Sequence, residues 1–255
     1  MRKDSSYLIK YTSRGLYCEL ADVWIDPNKP VKRAIITHAH MDHFTFGCDE
    51  YISTYETAII LKERIGKEIK IKTYDYEKEF KINGVKISFH PSGHILGSSQ
   101  IKFILADEKW LITGDFKRQK DETCKEYKIV ETDYLISEST FGLPIFKWDE
   151  PQKTALDITK WINSSQEKTS ILFCYSLGKA QRLLNEISKT KFKNNIYTHS
   201  SIYKINKCYE KLGIDIVDTK KIELNKNSGD LKGSLILLPP ALNKSSSLKN
   251  FKDSQ

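Results

Sequence analysis

Long apolar runs are missing from this chain. The longest, Ile171 to Tyr175, covers five residues, far short of the roughly 20 that a membrane-spanning helix needs. The N-terminus, Met1-Arg2-Lys3-Asp4-Ser5, leads into no apolar segment of the kind that directs export. Both observations argue against a membrane partner. Cysteine is sparse and unpatterned. Cys18, Cys48, Cys124, Cys174 and Cys208 are odd in number, scattered, and form no Cys-x-x-Cys. That speaks against a disulfide framework and for reduced thiols in a cytoplasmic compartment. Internal repeats and low-complexity linkers are also absent. Histidine is scarce too, six in 255 residues, so its placement carries information.

What is present reads as a globular chain. A length of 255 residues suits one large core, or one domain with a smaller insertion. Charged residues at 29% and aromatics at 11% exclude a disordered composition. The formal net charge of +8 suits a polyanionic partner, because lysine and arginine that neutralise phosphates release counterions. Lys, Ile and Asn are abundant throughout, as a biased genome composition produces, so the charge alone decides little.

Three of the six histidines fall in Thr37-His38-Ala39-His40-Met41-Asp42-His43, directly after the apolar run Ala34-Ile35-Ile36. An apolar run ending in a polar cluster reads as a buried strand that opens into a loop. In extended chain, His38 and His40 point the same way and can grip one ion. Asp42 and His43 fall in the following turn, where they can face a second. Imidazole and carboxylate donors suit Zn²⁺, and also Mn²⁺ or iron, better than Ca²⁺ or Mg²⁺. The alternative is a His-rich surface loop with no metal, but clustering three histidines with an aspartate weighs against it.

Further elements follow. Tyr7 to Ile9, Leu16 to Cys18 and Val23 to Ile25 read as edge strands, with Asp26-Pro27 ending the last. Ser53 and Glu56 form a capping-box pattern opening a helix that stops at Gly66, with Ala58, Leu61 and Ile65 on its apolar face. Phe80 to Ile82, Asn83-Gly84 and Val85 to Phe89 form a hairpin with a two-residue turn. It delivers His90-Pro91-Ser92-Gly93-His94 to a strand end. A second hairpin, Gln100 to Leu105 and Trp110 to Thr113 around a turn at Asp107-Glu108, ends in Gly114-Asp115. A carboxylate there can bridge two cations, or simply be a turn aspartate. Tyr134 to Ile136 is a further strand, ending in Ser137-Glu138-Ser139-Thr140.

Beyond it, strands and helices alternate: helix at Asp157 to Ile162, buried strand at Ile171 to Tyr175, helix from Lys179 to Ile187. Then come strand Asn195 to Thr198, helix Tyr203 to Leu212, and strand Asp215 to Val217. That alternation implies a small parallel sheet. Ser176-Leu177-Gly178-Lys179 lies between strand and helix. Free backbone N–H groups there, with Lys179 and Arg182 nearby, suit a phosphate. An ordinary strand-to-helix turn explains it nearly as well.

His-x-His-x-Asp-His after a strand resembles the metallo-β-lactamase fold, an αββα sandwich with a two-metal site at one edge. The resemblance implies His94, in His94-Ile95-Leu96-Gly97-Ser98, as third ligand of the first metal, with His90 orienting a neighbour. It implies Asp115 as bridging ligand, Asp42 and His43 on the second metal, and Asp26 as support of the ligand loop. Glu138-Ser139-Thr140-Phe141-Gly142 is similar to the first motif of the β-CASP nucleases, the branch that cleaves DNA or RNA. That implies a parallel βα insertion, Glu138 orienting site groups, Ser176, Lys179 and Arg182 contacting nucleic acid, and His199 as proton donor or phosphate contact. Gly114-Asp115-Phe116-Lys117 and Leu177-Gly178-Lys179-Ala180-Gln181-Arg182 add similarity to the compact ligase-associated DNA exonucleases.

The expected organisation is α/β (α+β). A metallo-β-lactamase domain spans residues 1–145, a β-CASP-like domain 146–240, and an irregular tail 241–255. The resemblance also implies that the chain re-enters the first domain after Pro239-Pro240 and supplies another histidine, whereas the last histidine here is His199. The expected function is hydrolysis of DNA phosphodiesters with two divalent ions, zinc first and manganese second, by an exonuclease of DNA repair. The expected metal ligands are His38, His40, Asp42, His43, His94 and Asp115. Asp42, Glu138 and His199 are the candidate catalytic groups. DNA is the expected partner, RNA the alternative, with a DNA ligase and a helicase implied by resemblance. The competing readings are an RNA-processing nuclease of the same fold and a non-catalytic nucleic-acid-binding remnant.

Overall fold

The short apolar segments at the start of the chain pair with one another, since each offers a pleated, half-buried face. In the computed structural model, β1 (Ile9–Thr12) and β2 (Gly15–Cys18) form a hairpin, and β2 pairs antiparallel with β3 (Val23–Ile25). From β3 the sheet continues in parallel through β4 (Arg33–Ile35), β5 (Glu50–Ser53) and β6 (Ile71–Thr73). The structure describes residues 7–223, 231–246, 248, 251, 254 and 255, so the expectation about Met1 to Ser5 lies outside the described residues. Of the three segments read as edge strands, only β1 is one. β2 and β3 have partners on both sides, and Tyr17 stacks on its cross-strand neighbour Trp24 at 3.9 Å.

Helix α1 (Tyr55–Ile65) follows β5 and stops at Gly66, as expected. Its cap is Thr54, whose hydroxyl accepts from Thr57 N, rather than Ser53. Ser53 is still paired with Thr73 in the sheet, so the chain is free to turn only one residue later.

The second sheet is built of hairpins. β7 (Phe80–Ile82) and β8 (Val85–Pro91) meet at Asn83-Gly84, both at positive φ, as the favoured two-residue turn demands. β9 (Ser99–Leu105) and β10 (Glu108–Ile112) turn at Ala106-Asp107, one residue earlier than expected. β11 (Tyr134–Ile136) joins parallel to β10, giving the order β11-β10-β9-β8-β7. Val23, Ile25, Ile35 and Ile52 of the first sheet share one buried cluster with Ile87, Phe89, Ile101 and Phe103 of the second. The two sheets therefore form a sandwich. The C-terminal ends of β3, β4, β8 and β10 lead into Asp26, His38, His94 and Asp115.

The chain divides into two compact units, Met1–Thr140 and Phe141–Gln255. The second holds α2 (Pro151–Asn163), β12 (Ser170–Phe173), α3 (Lys179–Ser188), β13 (Ile196–Thr198), α4 (Ser200–Lys211), β14 (Lys220–Lys221) and β15 (Leu235–Leu238). Among the described residues all its strand pairings are parallel, in the order β12-β15-β13-β14. One of its two inner strands, β15, was not read from the sequence. Its four residues are all buried, the near-continuous apolar run typical of a parallel strand covered on both faces.

Two expectations are corrected here. β12, read as buried, lies at the edge and leaves Phe173 37% exposed. Asp215 to Val217 is not a strand; Ile216 and Val217 pack instead against the cluster around Leu184 and Leu237. In the stretch 241–255, read as an irregular tail, the described residues pack back on the unit. Phe251 is buried beside Ile236 and Leu238, and Gln255 exchanges backbone hydrogen bonds with Thr169 and Ile171. Residues 247, 249, 250, 252 and 253 of that stretch lie outside the described residues. No helix among the described residues is long and apolar enough to cross a membrane.

Candidate metal centre

Four expected ligands converge. Ligand atoms of His38, His40, His94 and Asp115 all lie within 4.8 Å of one another. His40 Nδ1 is 3.0 Å from His38 Nε2 and 3.3 Å from His94 Nε2. A tetrahedral ion with metal–nitrogen bonds of about 2.0–2.1 Å needs nitrogens about 3.3 Å apart. Asp115 Oδ2 lies 3.6 Å from His94 Nε2 and 3.9 Å from His38 Nε2. Three imidazole nitrogens and a carboxylate oxygen in this spacing fit a divalent transition-metal ion.

A chain of hydrogen bonds orients the first of these rings. Asp26 accepts from Thr37 N at 2.8 Å and from the Thr37 hydroxyl at 2.6 Å. With its proton committed to Asp26, that hydroxyl accepts from His38 Nδ1 at 3.0 Å. The tautomer follows: the His38 Nε2 lone pair faces the other ligands. Asp26 itself sits at φ 42°, a left-handed conformation that aspartate tolerates better than most residues.

His43 is placed on the far side of Asp115. Its Nδ1 bonds Asp26 Oδ2 at 2.7 Å, and its Nε2 lies 3.4 Å from Asp115 Oδ1. Asp115 therefore turns one oxygen to the first cluster and the other to His43, the disposition of a bridging carboxylate. Asp26, His38 and His43 also lie within ligand spacing of one another. Both Asp26 oxygens already accept hydrogen bonds, so it acts as the partner that orients His43.

Asp42 is the exception. Met41–His43 form a single 3₁₀ turn rather than extended chain, which turns His43 inward and leaves Asp42 exposed. Its carboxylate is in neither ligand group, although its charge acts on His43 and Asp115.

The electrostatics separate the rings. Burial, reinforced by the neighbouring His43, His40 and His94, holds His38 well below the ordinary imidazole range. Burial, then His40 and Lys117, brings His94 down to about 3. Both rings are thus neutral at pH 7, the form that binds a metal. Burial also opposes charge on His43, but the hydrogen bond and charge of Asp26, with Asp115 and Asp42, outweigh it and raise the ring to about 9. Asp115 is raised, first by burial and then by Glu138 and Asp42. Glu138, half-buried, accepts from Thr140 N at 2.7 Å.

His90 stands apart, with its Nε2 on Ser88 Oγ at 3.0 Å. Three contributors were not singled out from the sequence. Thr37 links Asp26 to His38; Ser92 Oγ donates to the Asp115 carbonyl at 2.8 Å; Lys117 Nζ bonds the His94 carbonyl at 3.3 Å and pairs with buried Asp121. Each sits beside a ligand in sequence, the one signal available.

Among curated proteins, a probable DNA ligase of Opitutus terrae is 28% identical over 232 residues, 89% of this chain and 22% of its own length. Endoribonuclease YSH1 of Yarrowia lipolytica is 32% identical over 123 residues, 45% of this chain and 14% of its own. Cleavage and polyadenylation specificity factor 73 of Drosophila melanogaster is 30% identical over 159 residues, 60% of this chain and 23% of its own. No family model matches the chain. The chain resembles the β-CASP type of metallo-β-lactamase fold, with which its sheets, its ligand cluster and these relatives are consistent. It spans between 14% and 23% of the length of these three relatives.

In the second unit, the expected nucleic-acid contacts form a local group. Ser176 Oγ is 2.9 Å from Ser201 Oγ, which lies 2.8 Å from His199 Nδ1. His199 caps α4 by accepting from Ser201 N, and burial lowers its pKa. Lys179 is exposed at the start of α3 with its ammonium 5.6 Å from the Tyr175 ring, and Arg182 follows one turn on. The expected cradle of free N–H groups is corrected. Gly178 N donates to Gln181 Oε1 at 2.8 Å and Ala180 N to Tyr175 O at 3.2 Å. Buried Gln181, whose amide also bonds Ser176 O and Asn206, has claimed that turn. The N–H groups of Gly178 and Ala180 are therefore not free for an anion.

Proposed function

We propose that this chain is a metal-dependent nuclease that hydrolyses phosphodiester bonds of nucleic acid, acting on DNA. The observation that carries the reading is the convergence of His38, His40 and His94 on one oxygen of Asp115, with His43 on the other. His38, His40, His94 and Asp115 would hold one divalent ion, and His43 with Asp115 a second, zinc being the first candidate and manganese the next. When bound, such ions supply Lewis-acid neutralisation of phosphate charge and lower the pKa of an attacking water.

The chain's own residues supply the rest. Asp42, exposed beside His43, is free to take a proton at its carboxylate. Asp26 and Thr37 keep the His43 and His38 rings in their orientations. Glu138, whose charge acts on Asp115, steadies the groups around it. His199 presents Nε2 as its remaining donor once Nδ1 has accepted from Ser201, and Lys179 and Arg182 offer positive charge to the phosphate backbone.

DNA is preferred because the relative whose match covers 89% of this chain bears the name of a DNA ligase. That name also supports work beside a ligase in DNA repair; a helicase partner rests on the family resemblance alone. RNA is the second reading, favoured by the relatives named as an endoribonuclease and a cleavage and polyadenylation factor. Purified protein loaded with Zn²⁺ or Mn²⁺ is expected to degrade a DNA oligomer faster than an RNA oligomer of the same sequence. Faster RNA cleavage would reverse the substrate assignment. A folded His40→Ala variant is expected to lose cleavage by a hundredfold or more while still binding DNA; full cleavage by that variant would sink the hydrolytic reading.

A further inference from the structure

Helix α1 supplies no ligand, yet it touches both turns that do. At its start the hydroxyls of Thr54 and Thr57 both donate to the Gly97 carbonyl, at 2.7 and 2.8 Å. Gly97 lies three residues beyond His94. The approach leaves no room for a side chain, since a Cβ on Gly97 would stand 2.5 Å from Thr57 N. At the other end, Arg64 Nη1 donates to the Ala39 carbonyl at 2.7 Å. Ala39 is fully buried between the ligands His38 and His40. These contacts lie about 15 Å apart along the helix, at 1.5 Å per residue.

The neighbouring carbonyls of the ligand turn are held locally. Ser99 N bonds Thr37 O at 2.9 Å, and His43 N bonds His40 O at 3.3 Å. The Ala39 carbonyl is held by the Arg64 side chain. Arg64 is also near enough to Asp42 for the two charges to interact, and part of the residue is exposed. As a cation in the last turn, Arg64 favours the helix through its dipole, but its hydrogen bond to the Ala39 carbonyl adds nothing to that. What it constrains is the spacing of the two histidines on either side of that carbonyl.

We propose that Arg64 is a positioning residue of the metal centre, which holds the His38-Ala39-His40 turn in ligand geometry against α1 as a rigid bar reaching to the His94 turn. The proposal rests on reading the cluster as a metal centre and does not require the chain to be a nuclease. Groups of this kind, one shell out from the ligands, typically change metal affinity by about 10–100-fold. The competing role for an exposed arginine near such a site is contact with a substrate phosphate, and the two roles differ in what they move.

The test uses the full chain with Arg64→Ala, Arg64→Lys and Arg64→Gln, the last keeping a donor without the charge. Zn²⁺ affinity is measured by competition with a chromophoric chelator, coordination by the visible absorption of the Co²⁺-loaded protein, and folding by thermal unfolding of the metal-free forms. Arg64→Ala is expected to bind Zn²⁺ at least tenfold more weakly with an altered Co²⁺ spectrum, at a metal-free unfolding temperature near that of the parent. Arg64→Lys is expected to recover most of the affinity. Should Arg64→Ala fail to fold, Arg64→Gln and Arg64→Lys carry the same comparison. Affinity within twofold of the parent and an unchanged spectrum overturn the proposal. Combined with weaker binding of a DNA oligomer and a shallower salt dependence, that result assigns Arg64 to phosphate contact instead. A parent protein that binds metal but cleaves no oligomer removes the nuclease reading and leaves this one standing.

Discussion

Asp26 and Thr37 show how a residue that binds no ion can decide whether the ions bind. Asp26 receives two hydrogen bonds from Thr37 and one from His43, and through them aims two rings at Asp115. Asn in place of Asp would keep the shape and lose the charge. Asp26→Asn is expected to weaken metal binding about 10–100-fold, checked by chelator competition. It also changes a pH dependence. In the metal-free protein His43 is raised from 6.5 to about 9, so the folded state holds its proton more tightly than the unfolded one. That contribution is fully present below pH 6.5 and is lost as pH rises through about 9. Thermal unfolding of the chelator-treated parent should therefore show stability falling across that window, and Asp26→Asn should flatten the fall. An identical slope in both proteins would contradict the assignment of Asp26 as the partner of His43.

At the level of elements, the ligands are held by strand ends and the turns beyond them. Gly97 has φ 83°, and its carbonyl takes two hydroxyls from α1. Gly97→Ala both strains the backbone and drives a methyl against Thr57, so a loss of about 1–3 kcal/mol or more is expected in chemical denaturation. Metal affinity should fall with it, because the same turn carries His94. A variant as stable as the parent would show that the α1 contact is not a constraint. The elements also show what a local pattern can and cannot tell. Asn83-Gly84 was readable as a hairpin because two consecutive positive φ angles can be recognised from residue types alone. The α1 cap was misplaced by one residue because pairing of Ser53 with Thr73 in the sheet, a long-range contact, delays the turn.

On the scale of the molecule, the unit from Phe141 to Gln255 depends on β15. This strand contributes Leu235 and Leu237 to one buried cluster and Ile236 and Leu238 to another, so both faces of the parallel sheet are anchored on it. Leu237→Ala is expected to destabilise this unit by about 2–5 kcal/mol, read from denaturant unfolding. Hydrogen exchange should accelerate in β12, β13 and β15 while β8 and β9 keep their protection. A loss below about 1 kcal/mol would mean that β15 is not the centre of the core.

The sequence by itself determined the chemistry of the first ligand turn, through the nature and spacing of His38, His40 and His43, while His94 and Asp115 were assigned by resemblance to a known family. The former is a local matter, since a donor type and a two- or three-residue spacing need no distant partner to be recognised. The sequence also carried the alternation of strands and helices in the second unit. Only the tertiary structure decided which oxygen of Asp115 faces which histidine, that Asp42 stays outside the ligand groups, that Gln181 occupies the turn read as an anion cradle, and that β15 rather than β12 is central. Each of those depends on which segments far apart in the chain come to lie side by side, and strand neighbours and buried hydrogen-bond partners are chosen by packing, which residue order does not express.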